Sequence, residues 1–254
     1  MNRLTHSMGR ALARYLQRPA GRYRPYAVTP LALLRASLRP ADILLVEGDA
    51  RISSTIKYLT TSTWSHAAFF VGDPDGRDLI EADLLAGVRY SPLEGYAHLN
   101  TRICRAVHLT APDRARVIAF MRASVGRRYD LKNVVDLARY LLPEPPIPRR
   151  WRRRMLALGS GDPTRAICST LIAEAFQSVR YPILPEPGSD RNDPSRHELL
   201  HIRDHSLFAP RDFDLSPYFA VVKPAIAAGF DYRALQWDGA AAEAAGFTPP
   251  SPPA

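Results

Sequence analysis

The chain has 254 residues, of which 46% are hydrophobic and 23% charged, so it is long enough to bury a sizeable core without covalent staples. No run of 18 or more apolar residues occurs, which argues against a membrane-spanning helix, and two cysteines are too few for a disulfide framework. The net charge of +9 favours anionic partners, although Lys57, Lys132 and Lys223 are the only lysines and the arginine, alanine and proline usage also fits a GC-rich genome.

Residues 3 to 17 place Leu4, Met8, Ala11, Leu12 and Tyr15 at helical spacing, with Arg10 and Arg14 between them. This predicts a helix, packed either on the domain or on a membrane surface. The N-terminus has basic residues but no apolar core of the kind a secretory leader carries, so the expected location is cytoplasmic. After Pro19, Pro25 and Pro30, "LALLRASL" predicts a second short helix.

"ADILLVEGD" reads as a strand closed by a Gly-Asp turn, and "ARISSTIKYLTT" as a helix leading into the strand "TWSHAAFFVGD". Turn chemistry at Asp73-Pro74-Asp75-Gly76 is followed by "RDLIEADLLAGVRYSPL", which predicts further strands around Gly87. "TRICRAVHL" alternates as a strand, with Ile103, Arg105, Val107 and Leu109 on one face and Cys104, Ala106 and His108 on the other.

"APDRARVIAFMRASVG" predicts a helix with Pro112 and Asp113 in its first turn and Gly126 at its stop. "YDLKNVVDLARYLL" predicts another. The segment 141–163, Pro-rich and then basic through Arg149, Arg150, Trp151, Arg152, Arg153 and Arg154, breaks the periodic pattern as an insertion or lid. "AICSTLIAEAFQSVRY" restores a helix. Prolines dominate from residue 181, "FDLSPYFAVVKP" offers a short packed segment, and "GFTPPSPPA" reads as a frayed tail.

Two cysteines and seven histidines bound the catalytic possibilities. Cys168 stands where Leu171, Ile172, Ala175 and Phe176 begin helical spacing, so its thiol falls near a helix start. Free amide donors and the positive end of the helix dipole stabilise a thiolate there, and the bland alternative is a small buried residue. Cys104, between Ile103 and Arg105 on a strand, reads as core. His197, His201 and His205 share an i, i+4 spacing without a flanking ligand set, so no metal and no cofactor are expected.

His66 begins a strand, and Glu81 follows in the next strand if "GDPDGRD" joins a hairpin. Neighbouring antiparallel strands then bring the carboxylate to the imidazole, which is the orienting third group of triad logic. The structural alternative for His66 is a satisfied histidine at a strand mouth.

The order "ADILLVEGD…STIKYLTTSTWSHAAFFVGD…LIEAD…GVRYSPL…VGRRYDLKN…ICSTLIAEAF…LSPYFAVV" resembles the YiiX/YebB-like branch of the NlpC/P60 cysteine hydrolases. The resemblance covers roughly residues 38 to 222. It implies an α+β, circularly permuted papain-like fold, an antiparallel sheet or small barrel packed against helices, in which the histidine precedes the cysteine. It further implies Cys168 as nucleophile, His66 as general base and acid, Glu81 as orienting residue, and Tyr129 near the substrate; Asp130 reads as a helix cap.

The expected organisation is an N-terminal helical extension over 1–37, a catalytic domain over 38–222 carrying the 141–163 insertion, and a C-terminal extension with a flexible tail over 223–254. The expected activity is a thiol hydrolase or acyltransferase acting on an amide or ester, lipid-linked substrates included. The alternative is a non-catalytic module for anionic lipid, with Arg149, Arg150, Trp151, Arg152, Arg153 and Arg154 making peripheral membrane contact. Nucleic acid is the weaker partner, because no recognition-helix motif appears.

Overall fold

A computed structural model describes residues 14–19, 21, 23, 25–26, 28–72, 75–83, 85–127, 167–184, 186–188, 199–201, 204–205, 208–229 and 231. The first regular elements are α1 (Leu31–Ser37), β1 (Ile43–Val46), α2 (Arg51–Thr60), β2 (His66–Phe70), β3 (Leu79–Asp83) and β4 (Gly87–Ser91). A 3-10 helix over Leu93–Tyr96, β5 (Thr101–Ala106), α3 (Ala111–Ala123) and α4 (Ile167–Gln177) follow. The chain then forms β6 (Glu186–Gly188), β7 (Leu199–His201), α5 (Pro210–Leu215), β8 (Phe219–Val222) and α6 (Pro224–Ala227).

Six strands pair in the order β4-β3-β2-β1-β5-β8, and every pairing is antiparallel. Among the described residues this is an open sheet with edges at β4 and β8, so of the two expected forms it is the sheet and not the closed barrel. The architecture is α+β. A separate two-stranded ribbon joins β6 to β7.

β1 lies inside the sheet with all four residues buried, which is why "ILLV" is apolar throughout instead of alternating. Its odd positions, Ile43 and Leu45, join Ala67, Phe69, Ile80 and Cys104 on one face, packed against Met121 of α3 and Leu171, Ile172 and Phe176 of α4. Its even positions, Leu44 and Val46, join Ala68, Phe70, Leu79 and Ile103 on the other face, against Leu34 of α1, Leu93 and Leu99. Each strand thus carries two cores, one per face, by the period of two.

The helix α3 begins as its sequence dictates. Thr110 accepts a hydrogen bond from the backbone N–H of Asp113 at 3.3 Å, and a proline lies in the first turn. The helix closes at Ala123, and Gly126 adopts φ +90° three residues later, where its N–H donates to the Val88 carbonyl and ties the turn to β4.

The strand read over "TRICRAVHL" ends earlier than its alternation predicts. His108 has φ 57°, in the left-handed region, so the ladder stops at Ala106 and the chain turns toward α3. "SRHELLHIRDHSLF" is not helical at His201, which lies in β7, so the i, i+4 histidine spacing does not describe one helix face there. The predicted helix over "YDLKNVVDLARYLL", the segment 141–163, most of the N-terminal helix and the tail lie outside the described residues. Among the described residues, no helix is long and apolar enough to cross a membrane.

Candidate active site

His66 and Glu81 are positioned by strand pairing. β2 and β3 pair with Phe69 opposite Ile80 and Phe70 opposite Leu79. That register sets Glu81 on the same face as His66 and diagonal to it, within reach of long side chains. The geometry follows: His66 Nε2 lies 2.9 Å from Glu81 Oε2. Glu81 is only 6% exposed, so its charge needs partners.

It has three. Besides His66, Arg89 of β4 stands 3.0 Å from Oε1, and the Tyr96 hydroxyl donates to Oε2 through a very short hydrogen bond. Burial alone works against the ionised form of Glu81. The His66 imidazolium, the Tyr96 hydroxyl and the Arg89 guanidinium outweigh it and hold the carboxyl down at about 2, against an ordinary 4.5.

Cys168 arrives from the opposite face. It is the second residue of α4, which packs against β2 and β3, and it is buried. Burial raises a thiol's pKa, yet the Cys168 thiol is lowered. The His66 charge and hydrogen bond come next in weight, followed by the backbone N–H of Ala67 and the hydroxyl of Ser169. Since Nε2 is committed to Glu81, Nδ1 is the ring nitrogen left to face the thiol.

The imidazole responds in kind. Burial opposes its charge, but the Cys168 thiolate and then Glu81 raise its pKa to about 10, from an ordinary 6.5. The two groups therefore shift in opposite directions, the thiol down and the imidazole up, each toward its charged form. Cys104 is the contrast within the same molecule. Fully buried in the core, and beside the Asp214 carboxylate, its thiol is pushed up to about 12.

A cavity of about 580 Å³ opens on this set. Cys168, His66, Glu81 and Tyr96 form one wall, and Val46, Ile52, Ile56 and Leu99 supply an apolar one from β1, α2 and the segment before β5. Gly48 and Ser65 also line it, with the Gly48 N–H donating to Ser65 Oγ at 3.0 Å. Among the described residues, no group of three or more His, Cys, Asp or Glu is arranged to hold a metal ion.

Of the residues singled out from the sequence, His66, Glu81 and Cys168 meet in one constellation. Tyr129 and the basic run from Arg149 to Arg154 lie outside the described residues. Arg89 and Tyr96 were missed. A signal existed for Arg89: "GVRYS" follows "LIEAD" as the return strand of a hairpin, and the register sets Arg89 opposite Glu81. For Tyr96 the only hint is "SPLEGY", where Pro92 starts a 3-10 turn.

Fold and site together describe an α+β protein in which Cys168, His66 and Glu81 line one cavity. No protein-family model matches the chain. It is 24% identical over 192 residues to the probable lipoprotein peptidase YaeF of Escherichia coli strain K12, an alignment that spans 68% of this chain and 67% of YaeF. Among solved structures it is similar to the metalloprotein yiiX of Escherichia coli O157:H7, with a TM-score of 0.45 and 15% identity over 74% of this chain and 97% of that one. The similarity to the YiiX/YebB-like branch read from the motifs stands, at low sequence identity.

Proposed function

We propose that the protein is a cysteine hydrolase or acyltransferase built on a permuted papain-like fold, with residues 38–222 as its catalytic unit. The observation that carries this reading is the position of His66, hydrogen-bonded to Glu81 and lining the same cavity as Cys168. In this reading the Cys168 thiolate attacks an amide or ester carbonyl and forms a thioester, while the His66 imidazolium gives its proton to the leaving group. Neutral His66 then takes a proton from water, or from another acceptor, which attacks the thioester and frees Cys168. Amides at the start of α4 stabilise the oxyanion.

Glu81 holds the imidazole in the tautomer that turns Nδ1 to the sulfur. The similarity to a probable lipoprotein peptidase supports peptide or lipid-linked substrates, and the apolar wall of Val46, Ile52 and Ile56 is compatible with either. Tyr129, on the segment that leads out of α3, is part of the substrate-binding proposal.

The test is trapping of the acyl-enzyme. Incubation with p-nitrophenyl acetate, followed by rapid acid quench and peptide mass mapping, is expected to show an acetyl group on Cys168. His66→Ala is expected to abolish it. Acetylation of neither cysteine, or equal modification of both, overturns the enzyme reading.

The basic run at Arg149, Arg150, Trp151, Arg152, Arg153 and Arg154 favours a second role, as a peripheral contact for anionic membrane or, without catalysis, an anionic-lipid-binding module. Flotation with vesicles containing phosphatidylserine, compared with a variant carrying glutamine at the five arginines, tests it. Unchanged flotation removes this role.

A further inference from the structure

Tyr96 does more at this site than fill space. It ends the 3-10 helix that follows β4, and it meets the catalytic set at two points. Its hydroxyl donates to Glu81 Oε2, the same oxygen that accepts from His66, and it lies 3.3 Å from His66 Nε2. Its ring lies over the imidazole with centroids 6.0 Å apart and planes 21° from parallel.

We infer that Tyr96 is a positioning residue of the catalytic set, one that fixes the Glu81 carboxylate and the plane of the His66 ring together. This rests on the reading of Cys168 and His66 as a thiolate–imidazolium pair. A carboxylate held by Arg89 alone can turn about its terminal torsion, which has broad minima. The phenol removes that freedom by anchoring the oxygen that His66 uses. The stacked ring limits tilt of the imidazole, and Nδ1 stays on the line to sulfur.

The charged and titratable groups that bear on this arrangement come from three elements. Cys168 faces His66 from α4, and Glu81 faces both His66 and Tyr96 from β3. Arg89 faces Glu81 and, more weakly, Tyr96 from β4, and it also stands 3.6 Å from Asp83. The Tyr96 hydroxyl stays protonated through the working range, because burial first and then the Glu81 charge raise its pKa well above 10. It therefore acts as a fixed donor and adds no titration of its own.

The experiment follows the alkylation rate of Cys168 by iodoacetamide from pH 4 to 10, read by peptide mass mapping, in the wild type, Tyr96→Phe, His66→Ala and Glu81→Gln. Phenylalanine keeps the ring and removes only the donor. In Tyr96→Phe the acidic limb, where the ion pair forms, is expected to move up by about one pH unit, a roughly tenfold slower reaction along the rising part of that limb. In the Glu81→Gln background the same substitution is expected to change nothing further, because the residue acts through the carboxylate.

A Tyr96→Phe profile that superimposes on the wild type, with His66→Ala still losing the acidic limb, overturns the inference and leaves the catalytic reading in place. A wild type that labels Cys168 as an ordinary thiol, with no effect of His66→Ala, overturns both. Should Tyr96→Phe prove unfolded by circular dichroism, Tyr96→Trp and Tyr96→Leu are compared with the wild type; profiles for both that superimpose on the wild type overturn the positioning role.

Discussion

Glu81 and Arg89 stand directly opposite each other on β3 and β4, and Arg89 Nη2 lies 3.0 Å from Glu81 Oε1. The pairing puts a half-exposed cation against a buried anion, so Arg89 neutralises Glu81 from the solvent side while His66 uses the other oxygen. Because Glu81 is depressed to about 2, its contribution to stability is complete above its unfolded value near 4.5 and is lost as the pH falls through about 2. Arg89→Gln is expected to raise the folded value and shift that loss to higher pH. Thermal melts of both proteins between pH 2 and 6 measure it, and curves that stay parallel across the whole range contradict it.

The two cysteines should differ sharply as nucleophiles. Cys168 is lowered by its ion pair while Cys104 is pushed up to about 12 and fully buried. At pH 6 to 7, iodoacetamide is expected to modify Cys168 about a hundredfold faster or more. His66→Ala should remove most of that advantage. Equal rates at the two positions would show that the ion pair does not form.

Gly48 is required by close packing. A Cβ placed there would lie 2.5 Å from Ser53 Oγ and 3.0 Å from Ser65 Oγ. Gly48→Ala is expected to cost about 1 to 3 kcal/mol in urea denaturation, since α2 must shift away from the end of β1. Adding Ser53→Ala, which deletes the nearer oxygen, should recover most of the loss. A double variant no more stable than the single one would point to Ser65 instead.

Asp214 ties the approach to β2 to the far side of the sheet. It accepts from Trp64 Nε1 at 3.1 Å and from Arg102 Nη1 at 2.7 and 2.8 Å, and the Arg102 guanidinium lies 4.9 Å from the Trp64 ring centroid. Asp214→Asn keeps the shape but removes the charge that both donors use. A loss of about 1 to 3 kcal/mol is expected from chemical denaturation. Arg102→Met in the Asp214→Asn background should restore part of it, because the unpaired cation is gone.

The strands and helices nearest the site were legible for a simple reason. β1, β2 and α4 are buried on both sides or on a wide face, so their residues are chosen by period and size, and local sequence records that choice. His66 and Glu81 could be paired because one hairpin joins them. Tyr96 could not be paired with either, since its position depends on how the 3-10 helix folds back over the sheet, and no periodicity encodes such a return. Nothing in the local sequence gives Arg89 a partner; only the register sets it opposite a buried carboxylate. The early end of β5 is similar, because a left-handed residue at His108 is decided by the turn that follows and not by the alternation before it.

His66 and Cys168 come from distant parts of the chain, one on an early strand and the other on a helix laid against that strand's far face. Contacts of such long range form late when a domain folds, after nearby hairpins have closed. On the proposed catalytic reading, the sulfur is an ordinary thiol on the nascent chain and gains its reactivity only when α4 docks. Assembly itself would then be the activating event, and a molecule that fails to complete it would carry no unguarded nucleophile.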